Sequence, residues 1–190
     1  MAARKTTRKT AKKTLKTAKK PTRATARKAK KPSEDLYDVT ANAMGTLTPY
    51  LALHDAKSAI EWYGKVFGAK LFGGEPMPGP GGKIMHAQLK VGSSLFFVSD
   101  IFPESDMVDA SRAGASVNLN IFHKDADKMW ERAVANGAKV TMPFSDQFWG
   151  DKYGRIIDPF GHSWAITRRS KLSKKQLEDL RVKAMAQMGA

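Results

Sequence analysis

Cysteine is absent from this sequence, which excludes a disulfide framework, a thiolate nucleophile and a zinc–thiolate site. Long apolar runs are also absent, because none reaches the roughly 18 residues that a membrane-spanning helix needs. The basic N-terminus is not followed by the apolar core of a signal peptide. We therefore expect a soluble intracellular protein that resides in the cytoplasm or is associated with the nucleoid.

Acidic residues are missing from residues 1–32, although 14 of the 33 Lys and Arg residues lie there. The rest of the chain has 19 basic and 18 acidic residues, so the net charge of +15 comes almost entirely from this tail. Its Lys, Arg, Thr and Ala residues cannot bury enough apolar surface to offset the entropy of ordering, and we expect disorder. The basic residues of the tail are Arg4, Lys5, Arg8, Lys9, Lys12, Lys13, Lys16, Lys19, Lys20, Arg23, Arg27, Lys28, Lys30 and Lys31.

A spread of positive charge without acids attracts polyanions, because each neutralised phosphate releases a condensed counterion. The tail has no aromatic side chain to stack on bases, so we expect it to bind DNA without sequence preference. Its TAKK and ARKAKK runs resemble the tails of linker histones and bacterial histone-like proteins. The alternative is a solubilising or incidental extension. Residues 33–45 are predicted to be a linker.

A strand followed by an amphipathic helix occurs twice, with a shift of 69 residues. The sequence TLTPYLAL, 46–53, is typical of a strand, and HDAKSAIEWYGKVFGAKL contains a helix with Asp55 as N-cap and Gly68 as C-cap. HKDADKMWERAVANGAKV repeats it, with Asp125 or Asp127 near the cap. The inner faces of these helices are predicted to hold Ala59, Ile60, Tyr63, Val66 and Phe67 in the first copy and Met129, Trp130, Ala133 and Val134 in the second.

Each half then continues with three strand-like runs, which indicates an internal duplication. We expect tight turns at Gly92-Ser93 and at Asp158-Pro159-Phe160-Gly161. GGEPMPGPGG, 73–82, is predicted to be a flexible loop. After residue 170 a C-terminal helix with Ser173 as N-cap is expected to pack on the domain or on a partner through its apolar residues, which are Leu177, Leu180, Val182 and Met185, with Lys183 as an alternative to Val182.

The repeated unit, the helix AIEWYGKVFGA and the final YGRIIDPFGHSWAI resemble the vicinal oxygen chelate superfamily, which includes glyoxalases, bleomycin-resistance proteins and extradiol dioxygenases. Within it the sequence is most similar to the PhnB-like group, where WGDxYGRxxDPFGHxW recurs. The resemblance spans about residues 46–188. It implies an α+β fold in which two βαβββ modules form a curved mixed sheet around a cavity.

The predicted organisation has four parts. It comprises a disordered basic tail, 1–32; a linker, 33–45; a glyoxalase/bleomycin-resistance-like domain, 46–169, with modules at about 46–100 and 115–169; and a C-terminal helix in 170–190. The resemblance also leads us to expect a homodimer.

Metal-using members of the superfamily carry a His, Gln or Glu ligand on the first and last strands of each module. Counting from the helix-ending glycines, the matching positions are Thr48 and Asn118 (or Val117) on the first strands, and Phe96 or Phe97 and Ala165 on the last. None is an imidazole or carboxylate, so we expect no metal and no other cofactor. The histidines at 54, 123 and 162 are predicted to serve caps, the surface and the turn.

The stretch SDQFWGDKYGRIIDPFGHSWAI, 145–166, has the composition of an active site, but most of it is expected to shape a turn and a strand pair. Trp164 and Ile166 alternate with small residues, so the face that carries Ala165 leaves room for a ligand. Arg155 on the preceding strand favours an anionic ligand, although pairing with Asp151 or Asp158 is the alternative. The residues predicted to bind a small molecule are Thr48, Tyr50, His86, Asn118, Asn120, Gln147, Trp149 and Arg155.

Three functions are consistent with this sequence. The first is a metal-independent small-molecule-binding protein of the PhnB-like type with a tail that binds DNA. The second is a glyoxalase-type lyase, isomerase or dioxygenase that uses a divalent metal. The third makes nucleic acid the main partner and the domain a dimerising or sensory module.

Overall fold

The computed structural model describes residues 45–188, so the predicted tail and almost all of the linker lie outside the described residues. Eight strands form two copies of a strand–helix–three-strand unit. They are β1 Tyr50–Leu53, β2 Lys70–Pro78, β3 Ile84–Val91, β4 Ser94–Asp100, β5 Asn118–Phe122, β6 Lys139–Asp146, β7 Lys152–Ile157 and β8 Ser163–Arg168. The helices are α1 Ala56–Phe67, α2 Ala110–Ala113, α3 Ala126–Ala135 and α4 Lys174–Met188, with a 3-10 turn at Pro80–Gly82.

The two modules have the same sheet topology. Module 1 contains a four-stranded sheet in the order β1-β4-β3-β2, and module 2 contains one in the order β5-β8-β7-β6. In each sheet the first and last strands of the module pair in parallel, whereas the remaining pairs are antiparallel. The predicted α+β fold of two βαβββ modules is confirmed, with two separate mixed sheets in place of a single one.

Helix α1 has the predicted ends. The carboxylate of Asp55 accepts hydrogen bonds from the Ser58 backbone N–H (3.0 Å) and hydroxyl (2.6 Å), and Gly68 closes the helix with φ of 71°. On the inner face Trp62 is buried, and Ile60 is only partly buried. Helix α3 has Asp125 as its N-cap residue without a side-chain capping bond. The prediction that Val134 lies on the inner face is wrong, since it is 44% exposed.

A buried carboxylate joins the two modules. Asp158, in the turn before β8, accepts hydrogen bonds from the Tyr63 hydroxyl of α1 and from the Trp164 indole N–H, both at 2.8 Å. Its other oxygen accepts the backbone N–H groups of Phe160 and His162, both at 2.9 Å. Burial, followed by the nearby charge of Asp158, raises the pKa of Tyr63 well above its usual range, so the phenol stays protonated and donates.

The DPFG turn therefore has the predicted structural role. Gly161 has φ of 94°, and a Cβ there would lie 2.3 Å from the backbone nitrogen of Ser111. Only glycine satisfies both conditions without moving the neighbouring chain. Gly92, with φ of 59°, likewise forms the predicted hairpin turn between β3 and β4.

Three predicted segments differ from the structure. The first strand begins at Tyr50, so Thr48 lies before it. The Gly- and Pro-rich segment 73–82 is mostly the second half of β2, with register shifts that accommodate its irregular residues. In the C-terminal helix Leu177 and Leu180 are partly buried, whereas Val182 and Met185 are 61% and 67% exposed. Among residues 45–188, no helix is both long and apolar enough to cross a membrane.

We predict that Asp158→Ala lowers the free energy of unfolding by about 3–5 kcal/mol, because it removes the acceptor of four hydrogen bonds and leaves buried donors unpaired. Urea denaturation followed by circular dichroism measures the change. Asp106→Ala removes an exposed carboxylate from a loop and is expected to change stability by less than about 0.5 kcal/mol. Equal small effects of the two substitutions would contradict the role of the carboxylate.

Candidate functional site

In each module the sheet has one face covered by helix and core and a second face turned away from them. On β8, Trp164 and Ile166 belong to the core, whereas Ala165 and Thr167 lie on the opposite face. On β4, Phe96 and Val98 belong to the core and Phe97 lies opposite. This alternation defines two open faces, which we call the module 1 face and the module 2 face.

The module 1 face is aromatic. It comprises Tyr50, His86, Gln88 and Phe97, which the strand register places side by side. The Tyr50 hydroxyl lies 3.1 Å from Nδ1 of His86, and both rings contact Phe97 edge-on, with centroids 5.8 and 4.9 Å away. Burial lowers the pKa of His86, which favours the neutral imidazole. The predicted candidates Tyr50 and His86 therefore meet in one cluster.

The module 2 face is more polar. It surrounds a cavity of about 390 Å³, which is within the lower range of small-molecule sites. The predicted candidates Asn120, Trp149 and Arg155 all line it. The Trp149 ring packs edge-on against Tyr153, with centroids 5.6 Å apart. The cavity is lined by Asn120, Phe122, Met142, Trp149, Asp151, Tyr153, Arg155 and Thr167.

Arg155 is an exposed cation without a carboxylate partner in the described part of the chain. The alternative that it pairs with Asp151 or Asp158 is wrong. Asp158 binds the phenol, the indole and two backbone amides, and Asp151 accepts the backbone N–H of Ser170 at 2.8 Å. Neither acid forms an ion pair with Arg155, so the guanidinium remains available to an anion.

Two buried polar atoms lack hydrogen-bond partners, and these two are the only such side-chain atoms within residues 45–188. They are Oε1 of Gln88, on the module 1 face, and Oγ1 of Thr167, on the module 2 face. Buried polar groups without partners are uncommon in folded proteins and call for an explanation. Each open face therefore carries hydrogen-bonding capacity that the chain itself does not use.

The other three predicted ligand-binding residues lie elsewhere. Thr48 precedes β1 and lines a cleft between the modules. Asn118 accepts a hydrogen bond from the Ser163 hydroxyl at 2.8 Å. Gln147 donates to the backbone oxygen and hydroxyl of Ser145. Sequence reasoning also omitted Thr167, although it shares the alternating face of Ala165 two residues earlier.

The positions tested for metal ligands also need correction. The residues opposite Phe97 and Ala165 are Tyr50 and Asn120, two residues beyond Thr48 and Asn118. The offset from the helix-ending glycines to these positions was overestimated by two residues in both modules. A phenol, a phenyl ring, an amide and a methyl group do not fit a divalent-metal site. In the described residues, no three His, Asp or Glu side chains cluster as a metal site would require.

The remaining histidines have structural contacts. The His54 ring packs against Phe160, with centroids 5.7 Å apart. Nδ1 of His123 accepts the Asp125 backbone N–H at 3.0 Å, before helix α3. The His162 ring nitrogen Nε2 lies 3.1 Å from the Ala52 carbonyl oxygen, which adds a contact between the modules.

Comparison with known proteins gives a consistent result. The family model of the glyoxalase/bleomycin resistance protein/dioxygenase superfamily matches residues 46–166. The uncharacterized Mycobacterium bovis protein Mb0911c is 37% identical over 129 residues, which cover 66% of this chain and 84% of that protein. TioX from Micromonospora sp. ML1 has 27% identity and a TM-score of 0.52, over 68% of this chain and all of TioX. A Bacillus cereus protein described as PhnB, with 20% identity and a TM-score of 0.50 over 66% of this chain and all of that one, is similar in fold.

We predict that Thr167→Val raises the free energy of unfolding by about 1 kcal/mol, because an isosteric methyl replaces a buried hydroxyl without a partner. Chemical denaturation measures this difference. Thr141→Val, at an exposed position on β6, is the matched control and is expected to change stability by less than about 0.5 kcal/mol. A loss of stability specific to Thr167→Val would show that the hydroxyl already has a partner.

Proposed function

Because the chain belongs to the glyoxalase/bleomycin resistance protein/dioxygenase superfamily, whose fold hosts unrelated functions, we propose that it is a metal-independent small-molecule-binding protein of the PhnB-like group. The ligand occupies the module 2 face. The observation that carries this proposal is the combination, in one cavity, of the unpaired Arg155 guanidinium and the unpartnered Thr167 hydroxyl.

The lining of this face favours a planar anionic ligand. Arg155 offers two parallel N–H donors, the geometry that suits a carboxylate. Trp149 and Tyr153 offer ring surfaces on which a flat apolar body can pack, and Asn120 and Thr167 can each both donate and accept a hydrogen bond. We propose an aromatic or conjugated carboxylate as the ligand class.

Binding suits this lining better than catalysis. Amides and hydroxyls orient a ligand but are poor acids and bases at neutral pH. The phenol of Tyr153 and the guanidinium of Arg155 supply hydrogen-bond donors to a ligand. Asp151, the one carboxylate at the cavity, is buried and engaged by a backbone amide. The second candidate, a metal-dependent lyase, isomerase or dioxygenase, would need ligands that the first and last strands do not carry.

A second copy of the chain is proposed to complete the site. Both open faces expose large apolar side chains, including Tyr50 (44%), Met77 (53%) and Phe122 (53%). A ligand site usually buries most of its ligand, and a single open sheet face does not. We propose a homodimer in which these faces are covered at the subunit interface.

The ligand class is tested with pairs of aromatic carboxylates and their uncharged primary amides, by thermal unfolding of the full chain. Carboxylates that bind are expected to raise the melting temperature, because ligand binding stabilises the folded state, and Arg155→Gln is expected to remove the shift. Arg112→Gln, at an exposed position on α2, is the matched control and should retain it.

Two outcomes would contradict the binding proposal. One is stabilisation by the amides equal to that by the carboxylates, with no effect of Arg155→Gln. The other is a stoichiometric divalent metal in the purified protein, found by elemental analysis and lost together with an activity on chelation, which would favour the enzyme candidate.

For the basic tail we propose non-specific binding of polyanions such as DNA, which would associate the protein with the nucleoid. Its 14 positive charges without acids support this proposal, since the rest of the chain is close to neutral. The tail would have the same role if DNA were the main partner of this chain and the domain were a dimerising or sensory module.

Deletion of residues 1–32 is predicted to reduce DNA binding below detection at physiological salt. For the full chain, contacts with about six to ten phosphates would lower the affinity on the order of 10³–10⁵-fold between roughly 50 and 200 mM salt. Fluorescence anisotropy with a mixed-sequence duplex measures both effects. Strong binding that survives the deletion, or that is insensitive to salt, would exclude this role for the tail.

A further inference from the structure

The end of module 2 carries a cleft of about 730 Å³ that shares only Phe122 with the cavity of the proposed ligand site. It is lined by residues 122–124, where β5 ends, and by residues 168–171, where β8 ends. We call it the basic cleft, because four of these seven residues are Lys or Arg, one is His123 and none is acidic. The cleft lies in the folded domain, whose overall charge is close to neutral.

Nearby acids neutralise only part of this charge. Lys124 pairs with Asp125 at 2.9 Å. Asp127 is shared by two cations, Lys152 and Arg168, each at 2.6 Å. The hydrogen bond from Lys152 is the main reason that the pKa of Asp127 is lowered. Asp127 is therefore ionised and contributes one negative charge beside the cleft.

Arg169 and Lys171 are the two cleft cations without a carboxylate within 4.0 Å in the part of the chain that the structure describes. Both are exposed. The Arg169 guanidinium lies 4.6 Å from the centroid of the Phe122 ring, and this cation–π contact restricts its position. The Ser170 backbone N–H between them donates to the buried Asp151, which fixes the main chain that carries both side chains.

The equivalent strand end in module 1 carries a residue of opposite charge. The last residue of β4 is Asp100 and the last residue of β8 is Arg168. Asp100 accepts the Ala56 N–H at 2.9 Å and the Ile84 N–H at 2.6 Å, so module 1 holds its own carboxylate beside the start of its helix. Module 2 has the cation Arg168 there, and its carboxylate partner Asp127 is shared with Lys152, so positive charge exceeds negative charge at this strand end.

We propose that the basic cleft binds the phosphate backbone of nucleic acid. The positive charge continues beyond the cleft, because the segment 168–175 carries five Lys or Arg residues and no acid, and its last two, Lys174 and Lys175, are exposed at the start of α4. A line of cations longer than one phosphate group fits a polymer of phosphates better than a single phosphorylated molecule. The domain thus adds its own phosphate contacts to any that the tail makes.

The test uses the full chain and a mixed-sequence DNA duplex of about 20 base pairs, with the affinity measured over a series of salt concentrations. The plot of log affinity against log salt has a negative slope, and each lost phosphate contact reduces the magnitude of this slope by about 0.9. Arg169→Gln/Lys171→Gln is therefore expected to reduce the magnitude of the slope by about 2. The control Lys57→Gln/Lys65→Gln removes the same charge from exposed positions on α1 and should leave the slope unchanged.

Single substitutions sharpen the result. Lys171→Gln alone should lower the slope by about 1, and Arg169→Lys, which keeps the charge, should retain the wild-type value. The melting temperature of each variant checks that the domain is folded. An unchanged slope in the cleft variant, an equal decrease in both double variants, or no binding of the full chain to DNA would overturn the proposal.

Inorganic pyrophosphate distinguishes a small phosphorylated ligand from nucleic acid. Its titration is followed through the Ser170 backbone amide by NMR. Saturable pyrophosphate binding in the cleft, together with an unchanged DNA slope in Arg169→Gln/Lys171→Gln, would assign the cleft to a free phosphate compound and overturn the nucleic-acid assignment. This result does not depend on deletion of the tail, so failure of the tail proposal and failure of the cleft proposal are distinguishable.

Discussion

The carboxylate of Asp158 is the interaction on which the arrangement of the two modules depends. It accepts donors from helix α1 of module 1, from strand β8 of module 2 and from its own turn. The exposure of Asp158 is 3%, and a buried charge is tolerated only when several hydrogen bonds replace its water. Because Tyr63 can reach the carboxylate in only a narrow range of positions, the same bond that satisfies the charge fixes α1 against β8. This contact therefore also sets the positions of the two open faces.

Much of the fold could be predicted because the strand–helix–three-strand pattern occurs twice in the sequence. The caps of α1, the alternation of large and small residues on β8 and the DPFG turn each depend on local chemistry, and each has the expected form. The register between strands was not predictable in the same way. Which residue of β1 lies opposite Phe97 depends on pairing between strands that are distant in the sequence, and a count from the helix-ending glycine selected Thr48 where Tyr50 lies.

The strand faces that form the candidate site could be predicted from the sequence. The hydrogen-bond and ion-pair partners of the side chains on those faces could not. Alternation predicted an open face at Ala165, and the register places Ala165 between the predicted candidates Asn120 and Arg155. Whether Arg155 is free depends on how Asp151 and Asp158 are used, and that is decided by groups distant in the sequence, such as the Tyr63 phenol and the Ser170 amide. Gln147 was predicted to bind a ligand, whereas its side-chain amide donates to Ser145 within its own segment.

The duplication gives two copies of one scaffold with different chemistry at matching positions. Opposite the first strand, module 1 carries Phe97 where module 2 carries Ala165, so one open face is filled by aromatic rings and the other has a cavity. At the strand end Asp100, which accepts two backbone N–H groups, is replaced by Arg168, which lines the basic cleft. In both places the strand pairing is equivalent and the side chain differs. Module 1 contributes the Tyr63 contact that holds the modules together, whereas Arg155 and the cavity beside it lie in module 2.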